Sequence, residues 1–358
     1  MKAIVAKRTF PKRLLSFALH RQLGQGAAIT EIPIPEISPD EILVKVSTVA
    51  LNPIDTKGID VVSPWGSLIG CDYAGVVTKV GKNASSRWKV GERVAGFVHG
   101  GQYKDVGSFA EYLKVNAGLA WKVPQGVGDA EAATFGIAAV TAVLALEYLD
   151  VPFEDIVKGS NVPSKESTVF IYSGASNVGL FAIQLAKRVG LKVVTAASPR
   201  SFDLVKRIGA DDVFDYRSPT AIKDIRAAYP NIRRAIDCFS EGGSAVFCAN
   251  VLASGKVITL LDQGKPAKPD IEYKFLMVFT AFGQQFQMLA PLGPVFPVAP
   301  ADGEILARFY ESVPGLLGGA IKPPAITVTQ GGLDEVLKGL DTLRKGEARG
   351  TKLVVQFV

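Results

Sequence analysis

Apolar and polar positions alternate with two different periods along this chain, and the change of period divides it. Residues 42–50, ILVKVSTVA, alternate for several steps, as a strand with one buried face does. Short β-type runs broken by Gly, Pro and Asn continue to about residue 125. From about residue 131 the stretch AEAATFGIAAVTAVLALEYL reads as helix, and VPFEDIVKGSNVPSKES after it reads as a polar surface loop. Strands then alternate with helices: TVFIYSG (168–174), a helix through LFAIQLAKRVG, KVVTAA (192–197), a helix through SFDLVKRIG, and DDVFDY. RRAIDCF (233–239), a helix over 243–252 and GKVITLL (255–261) continue the series. Apolar strands that alternate with helices predict a parallel sheet covered on both faces.

After Asp262 the sequence is rich in Gly, Pro and Gln (QQFQMLAPLGPVFPVAP) and reads as an ordered, irregular loop, with one more helix over 302–317. The closing KLVVQFV is a strand whose pattern matches the β-rich first part, so it is expected to return there. The predicted fold class is α/β: a Rossmann-type doubly wound parallel sheet over 131–301, beside a β-rich domain made of 1–130 and 302–358. No repeat at solenoid periods is present.

With 358 residues, 48% of them apolar and 21% charged, the chain builds sizeable cores; disorder and fibrous architectures are excluded. The longest nearly apolar stretch, 132–146, is interrupted by Thr134 and Thr141 and falls short of the roughly 18 residues a membrane span needs. The first twenty residues lack a continuous apolar segment before a small-residue cleavage site, so a cytoplasmic location is expected. Cys71, Cys238 and Cys248 are widely spaced and read as reduced core thiols. The net charge of +6 and pI near 9.0 suit a polyanionic partner but also many ordinary enzymes. The densest cationic cluster, Lys7, Arg8, Lys12 and Arg13, reads either as a solvated edge or as a docking surface for an acidic carrier domain or a phosphorylated ligand. No nucleic-acid motif accompanies it.

The sharpest motif is YSGASNVG (172–179), directly after a strand and directly before a helix. In the first strand-to-helix turn of a doubly wound sheet, Gly174 allows a tight backbone and Gly179 close helix packing, while the helix amides receive a pyrophosphate. Ser176 stands where the middle glycine of the G-x-G-x-x-G pattern belongs. At the end of the second strand an NAD site places an acid; here TAASPR offers Ser198 and Arg200 instead, which suit a 2′-phosphate. The expected cofactor is therefore NADPH/NADP+.

The segments NPIDTKG (52–58), GCDYAGVVTKVG (70–81), VGERVAGF (90–97), SFAEY (108–112) and SGASNVG (173–179), in this order, resemble the medium-chain dehydrogenase/reductase superfamily, and the resemblance covers nearly the whole chain. The zinc-free quinone and enoyl reductase branch is closest. SPRSFDLVKRIGADDVFDYR and QGGLDEVLKGLDTLRKGE (330–347) are especially similar to the trans-acting enoyl reductases of fungal polyketide pathways. The resemblance implies a GroES-like β domain carrying the substrate site, a Rossmann domain, and NADPH held in the cleft between them.

It further implies an NADPH-dependent reductase that delivers hydride to the β-carbon of an α,β-unsaturated acyl thioester. A quinone or enone reductase is the alternative, and a non-catalytic nucleotide-binding or RNA-binding protein the remaining one. Zinc members of the superfamily place Cys and His ligands where this chain has NPIDTK and GCDYAG, with Cys71 at the histidine of their Gly-His-Glu motif. With His20 and His99 as its two histidines, both read as surface or loop residues, the chain is expected to use no zinc.

The family's polar catalytic pair falls on Lys57 and Thr141; the alternatives are a solvated lysine and a helix threonine bonded to its own backbone. Family cofactor contacts fall on Ile54, Asp55, Thr56 and Lys57; on Ser176, Asn177, Val178 and Gly179; and on Ser198, Pro199, Arg200 and Ser201. Tyr216, Leu260, Leu261, Ala348 and Arg349 complete them. The acyl chain would run past Thr141, Ala142, Leu144, Ala145 and Tyr148, and past Ala281, Phe282, Gly283, Gln284 and Gln285; core packing is the rival reading of the apolar ones. The implied partners are a small or carrier-bound acyl substrate and a polyketide synthase acyl carrier domain, with no nucleic acid or membrane, for a monomer or homodimer.

Overall fold

The computed structural model describes residues 1–19, 26–160, 168–317, 319–348 and 350–358. They form two compact units: Met1–Ile137 with Phe279–Pro314 and Pro323–Val358, and Ala138–Val278 with Gly315–Lys322. Relative to the division expected from sequence, residues 131–137 and 279–301 fall in the β-rich unit and 315–322 in the other.

The second unit is built on a sheet that has six strands among the described residues, all paired in parallel. Across the sheet they run Asp212–Asp215, Lys192–Ala197, Thr168–Tyr172, Arg234–Asp237, Gly255–Thr259 and Ile271–Phe275. This is the strand order 3-2-1-4-5-6, whose reversal beside the first strand marks a dinucleotide crevice. Phe170, Val194, Ala235 and Val257 from four central strands share one core with Ile225, Cys248 and Leu252 of the covering elements.

The strand Ile271–Phe275 extends the sheet inside the stretch read as an irregular loop. Its burial alternates weakly, as at a sheet edge, which hides it among the prolines and glycines around it. Helix Ala221–Ala228 had no strong sequence signal because it buries only Ala221 and Ile225. Helix Phe153–Lys158 corrects the polar loop expected there: Phe153 and Ile156 face inward, and Gly159 closes the helix at φ 72°. The rest of that expected loop, 161–167, lies outside the described residues.

The first unit centres on an antiparallel strand, Glu41–Ala50, bonded to Asp72–Val80 on one side and to Tyr112–Asn116 and Lys352–Phe357 on the other. Irregularities at Leu43/Val44 and Val46/Thr48 bend it, which lets one strand serve two partners on the same edge. The closing strand Lys352–Phe357 joins this sheet, as its pattern predicted, and Ile326–Gly331 pairs beside it in parallel. The core contains Val44, Val46, Tyr73, Trp88, Leu113 and Val355. The apolar stretch Asp129–Glu147 has the length and hydropathy of a membrane helix, but it breaks at Gly136 and is mostly buried within the protein.

Phe170 lies at the centre of the parallel sheet with no exposed surface. Phe170→Ala is expected to destabilise that unit by about 3–5 kcal/mol, through lost burial and the cavity left behind. Urea denaturation followed by hydrogen exchange of the 168–172 amides measures it; a loss below about 1 kcal/mol would contradict the packing described.

Candidate active and nucleotide-binding site

In the parallel-sheet unit, strand Thr168–Tyr172 leads through a half-exposed turn into helix Asn177–Arg188. A side chain at Gly174 would lie 2.1 Å from Thr195 Oγ1, and one at Gly179 would lie 2.6 Å from the Ser173 carbonyl, so both positions exclude a Cβ. Ser176 sits at φ −72°, ψ 160°, extended backbone open to any residue, and its Oγ accepts from Gly179 N at 3.1 Å. The departure from glycine therefore supplies a helix cap. Asn177 and Val178 contribute first-turn amides, which have no intrahelical acceptor and suit a phosphate.

Beside it, strand Lys192–Ala197 ends in the turn Pro199–Ser201, where Ser198 Oγ and Ser201 Oγ lie 3.3 Å apart. The Arg200 side chain is exposed, with no hydrogen-bond or ion-pair partner among the described residues. Tyr216 follows strand Asp212–Asp215, partly exposed, 5.8 Å from the Tyr172 ring. Leu260 and Leu261 follow strand Gly255–Thr259. Ser240, a residue the sequence did not single out, holds that turn: its Oγ accepts from Leu260 N at 2.8 Å, while Asp237 Oδ1 accepts from Ser240 N at 2.9 Å. Ser240 has φ 58°, an uncommon conformation for a residue with a side chain, so the turn is held under strain. An Asp three residues before a Ser was the available signal, too short to read alone. Ala348 is half-buried in the other unit, and Arg349 lies outside the described residues.

In the β-rich unit, Lys57 ends the helix Pro53–Lys57, is half-buried, and has its ammonium pKa lowered by that burial. Asn52 begins the helix: its backbone N–H donates to Asp55 Oδ2 at 2.8 Å and its Nδ2 to Asp72 Oδ2 at 2.9 Å. Lys352, 1% exposed, donates to Asn52 Oδ1 and forms a 3.0 Å ion pair with Asp72 Oδ2. Asp72 Oδ1 accepts from Ile137 N at 2.8 Å. Asp55 is buried beside the Cys71 thiol, and burial pushes its carboxyl up to about 7. Its side chain is thus an interior group that closes the start of the helix, not one open to a ligand. Thr56 is also buried, and its hydroxyl donates to Pro53 O at 2.8 Å.

These residues do not fit zinc. Burial and the neighbouring Asp55 and Asp72 push the Cys71 thiol well up, which opposes the thiolate a metal needs. Asn52 is occupied by Lys352, whose ammonium already supplies the local positive charge. Among the described residues no three His, Cys, Asp or Glu side chains are grouped to hold a metal.

His99 lies in the loop after strand Arg93–Phe97, as read, but not at the surface. It is 6% exposed, stacked on Phe279 at 4.0 Å and met edge-on by Tyr103 and Phe286. Burial drives its pKa down to about 3, so the ring is neutral at pH 7. His20 lies outside the described residues. Phe282 packs against Phe97 at 4.8 Å, while Gly283, Gln284 and Gln285 are exposed. Ala281 is buried, as are Ala142, Leu144 and Ala145 in the other unit; these four side chains pack the core and line no open surface. Thr141 is buried on helix Ile137–Glu147, and Tyr148 is half-buried beyond its end.

Of the N-terminal cationic cluster, Lys12 is exposed and Lys7 half-buried, while the two arginines turn inward. Arg8 and Arg13 are 2% and 4% exposed. Arg8 Nη1 donates to Asp60 O at 2.6 Å and to Ile59 O at 3.2 Å, and Arg13 Nη1 donates to Val62 O at 2.6 Å. Both guanidinium groups serve the carbonyls of the turn Gly58–Val62, directly after Lys57, and are turned away from the surface.

Residues 38–125 match the alcohol dehydrogenase GroES-like domain, and residues 177–305 match the zinc-binding dehydrogenase family. The solved structure of a mycobacterial protein, Rv1454c complexed with NADPH, has a TM-score of 0.71 at 21% identity, covering 99% of each chain. The CurF enoyl reductase cyclopropanase of curacin A biosynthesis gives 0.72 at 17%, covering 99% of this chain and 100% of its own. The fold is thus that of the medium-chain dehydrogenase/reductase superfamily. The trans-enoyl reductase resD of Aspergillus sclerotiorum is 38% identical over 92% of this chain and 97% of its own, and caaB of Aspergillus niger is 35% identical over 92% and 94%. This chain belongs to the fungal trans-enoyl reductase family of oxidoreductases.

The raised Asp55 pKa has a consequence for stability. In the unfolded chain an Asp releases its proton near pH 4, whereas folded Asp55 holds it to about 7, so this group's contribution is greatest below pH 4 and is lost as pH rises to 7. The wild type is expected to lose about 1 kcal/mol per pH unit from this group across that window. Asp55→Asn should flatten that part of the profile in urea denaturation at pH 4.5, 6 and 7.5. An unchanged slope would show that Asp55 ionises normally.

Proposed function

We propose that this protein is an NADPH-dependent enoyl reductase that acts in trans on α,β-unsaturated acyl thioesters of a polyketide pathway. The observation that carries this reading is the 38% identity, extending over nearly the whole of both chains, to a trans-enoyl reductase. NADPH, when bound, supplies the hydride that the β-carbon receives. The turn at Ser176–Gly179 offers it amides, Arg200 with Ser198, Pro199 and Ser201 offers the 2′-phosphate a cation and hydroxyls, and Tyr216 offers the adenine a ring face. Leu260 and Leu261, at the end of another strand of the same sheet, would add apolar contacts to the cofactor. The NADPH in the mycobacterial neighbour supports the same choice.

The reaction builds negative charge on the thioester carbonyl oxygen. Lys57 answers it: burial weakens its hold on its proton, which makes the ammonium a stronger hydrogen-bond donor toward an enolate oxygen. The Thr141 hydroxyl orients the thioester, and the acyl group meets Tyr148 and Phe282 to Gln285. No step is assigned to zinc. The substrate is a small acyl thioester or one carried by a synthase's acyl carrier domain, and neither nucleic acid nor membrane takes part.

Purified protein is expected to oxidise NADPH, and NADH much more slowly, when given a 2-enoyl thioester; turnover of a simple quinone alone would make it a quinone reductase instead. Arg200→Ala should raise the KM for NADPH about tenfold or more and leave that for NADH nearly unchanged, and equal effects on both would remove Arg200 from the 2′-phosphate. Lys57→Ala should lower kcat by about 100-fold with a smaller effect on KM. A variant with wild-type kcat would return Lys57 to a purely structural role.

A further inference from the structure

We propose that the parallel-sheet unit carries a docking surface for an acidic face of the protein that presents the acyl thioester. A cavity of about 450 Å³ is bordered by Lys158, Lys187, Arg188, Arg207 and Lys322, and by no carboxylate among the described residues. It lies where the helices Phe153–Lys158, Asn177–Arg188 and Phe202–Ile208 end. The nucleotide turn is at the opposite end of the twelve-residue helix Asn177–Arg188, about 18 Å away at 1.5 Å per residue, so the cavity is separate from the cofactor site.

Carbonyls at helix C-termini attract cations, and part of the positive charge is spent on them. Arg188 Nε and Nη2 donate to Ile156 O and Val157 O at 2.8 and 2.7 Å, and Lys187 Nζ lies 2.9 Å from Asp211 Oδ1. The exposed side chains of Lys158, Arg207 and Lys322 have no hydrogen-bond or ion-pair partner among the described residues. Three uncompensated cations from three chain segments thus face one concavity.

Their disposition selects the occupant. A small anion is held tightly by buried, converging donors. The buried polar side chain here, Gln184, is already committed to the backbone of Lys322, at 3.1 Å through Nε2 and 2.8 Å through Oε1. Mobile cations on the rim of an open concavity instead steer and orient an acidic macromolecular surface. With Arg8 and Arg13 turned inward, this cavity takes over the docking role considered for the N-terminal cluster. The inference rests on the reductase reading, which supplies a carrier-bound substrate.

The test compares wild type with Lys158→Glu/Arg207→Glu/Lys322→Glu and with a charge-matched control, Lys79→Glu/Lys82→Glu/Lys89→Glu. Each is assayed on crotonyl-N-acetylcysteamine and on a crotonyl-loaded carrier domain of a fungal reducing polyketide synthase. The expected result is a loss of tenfold or more in kcat/KM on the carrier for the cavity variant only, with a flattened salt dependence and unchanged turnover of the small thioester. Equal kcat/KM on the carrier for all three proteins would overturn the docking surface and leave the reductase reading intact. Loss on both substrates would overturn it too, by tying the cavity to folding or the active site. If wild type turns over neither substrate, the reductase reading fails; carrier binding measured by biosensor then decides docking, and equal binding by the three proteins overturns it. Pyrophosphate bound below millimolar through the same three side chains would make the cavity a small-anion site and also overturn the proposal.

Discussion

The β-rich unit depends on one buried charge. Lys352 brings an ammonium to a place without water, and a lone charge there would cost several kcal/mol. Asp72 and Asn52 offset that cost together. The carboxylate is saturated, with one oxygen taking Lys352 and the Asn52 amide and the other taking the Ile137 N–H. Removing any one partner strands the rest, so the cluster is all-or-none. Its members are 280 and 300 residues apart, and the first unit is therefore complete only when the end of the chain has returned to its beginning. A discontinuous domain is the price of that junction.

The same junction positions Lys57. Asn52 opens the helix Pro53–Lys57 and is held by Asp72 and Lys352, while the turn after Lys57 is gripped at its carbonyls by Arg8 and Arg13. Arg344 adds a second cation to Asp60 at 3.1 Å. A short helix has little stability of its own, since nucleation is costly and five residues make few internal bonds. Here both of its ends are fixed by buried charged hydrogen bonds, so a lysine on five residues acquires a rigid mounting. Arg8 and Arg13, which looked like part of a surface feature, work inside the protein.

What was legible in the sequence follows the same physics. The parallel sheet was readable because strands buried on both faces, such as TVFIY and KVVTAA, leave continuous apolar runs. The strand Ile271–Phe275 and the helices Phe10–Ala18, Phe153–Lys158 and Ala221–Ala228 each bury only one or two residues and left no such run. In the site, the residue types of NPIDTK and the glycine turn could be read from local order. The surroundings of Lys57 could not, because Lys352 is three hundred residues away and reads as one more cation at the start of a strand. His99 shows the same limit: its aromatic stack comes from Phe279, Phe282 and Phe286, far along the chain, in a stretch that reads as loop.

Ser176 shows how a motif can depart from its pattern without losing its physics. A glycine is indispensable where the backbone turns left-handed or a Cβ would strike a neighbour, and both Gly174 and Gly179 meet the second condition. Position 176 meets neither requirement of the backbone itself, for its dihedrals are ordinary extended ones. The hydroxyl turns toward Gly179 N and caps the helix, and that leaves the next two amides, at Asn177 and Val178, directed out of the helix with no acceptor of their own. The serine thus keeps the outward amides of the turn, and the exposed Arg200 guanidinium stands at the end of the neighbouring strand.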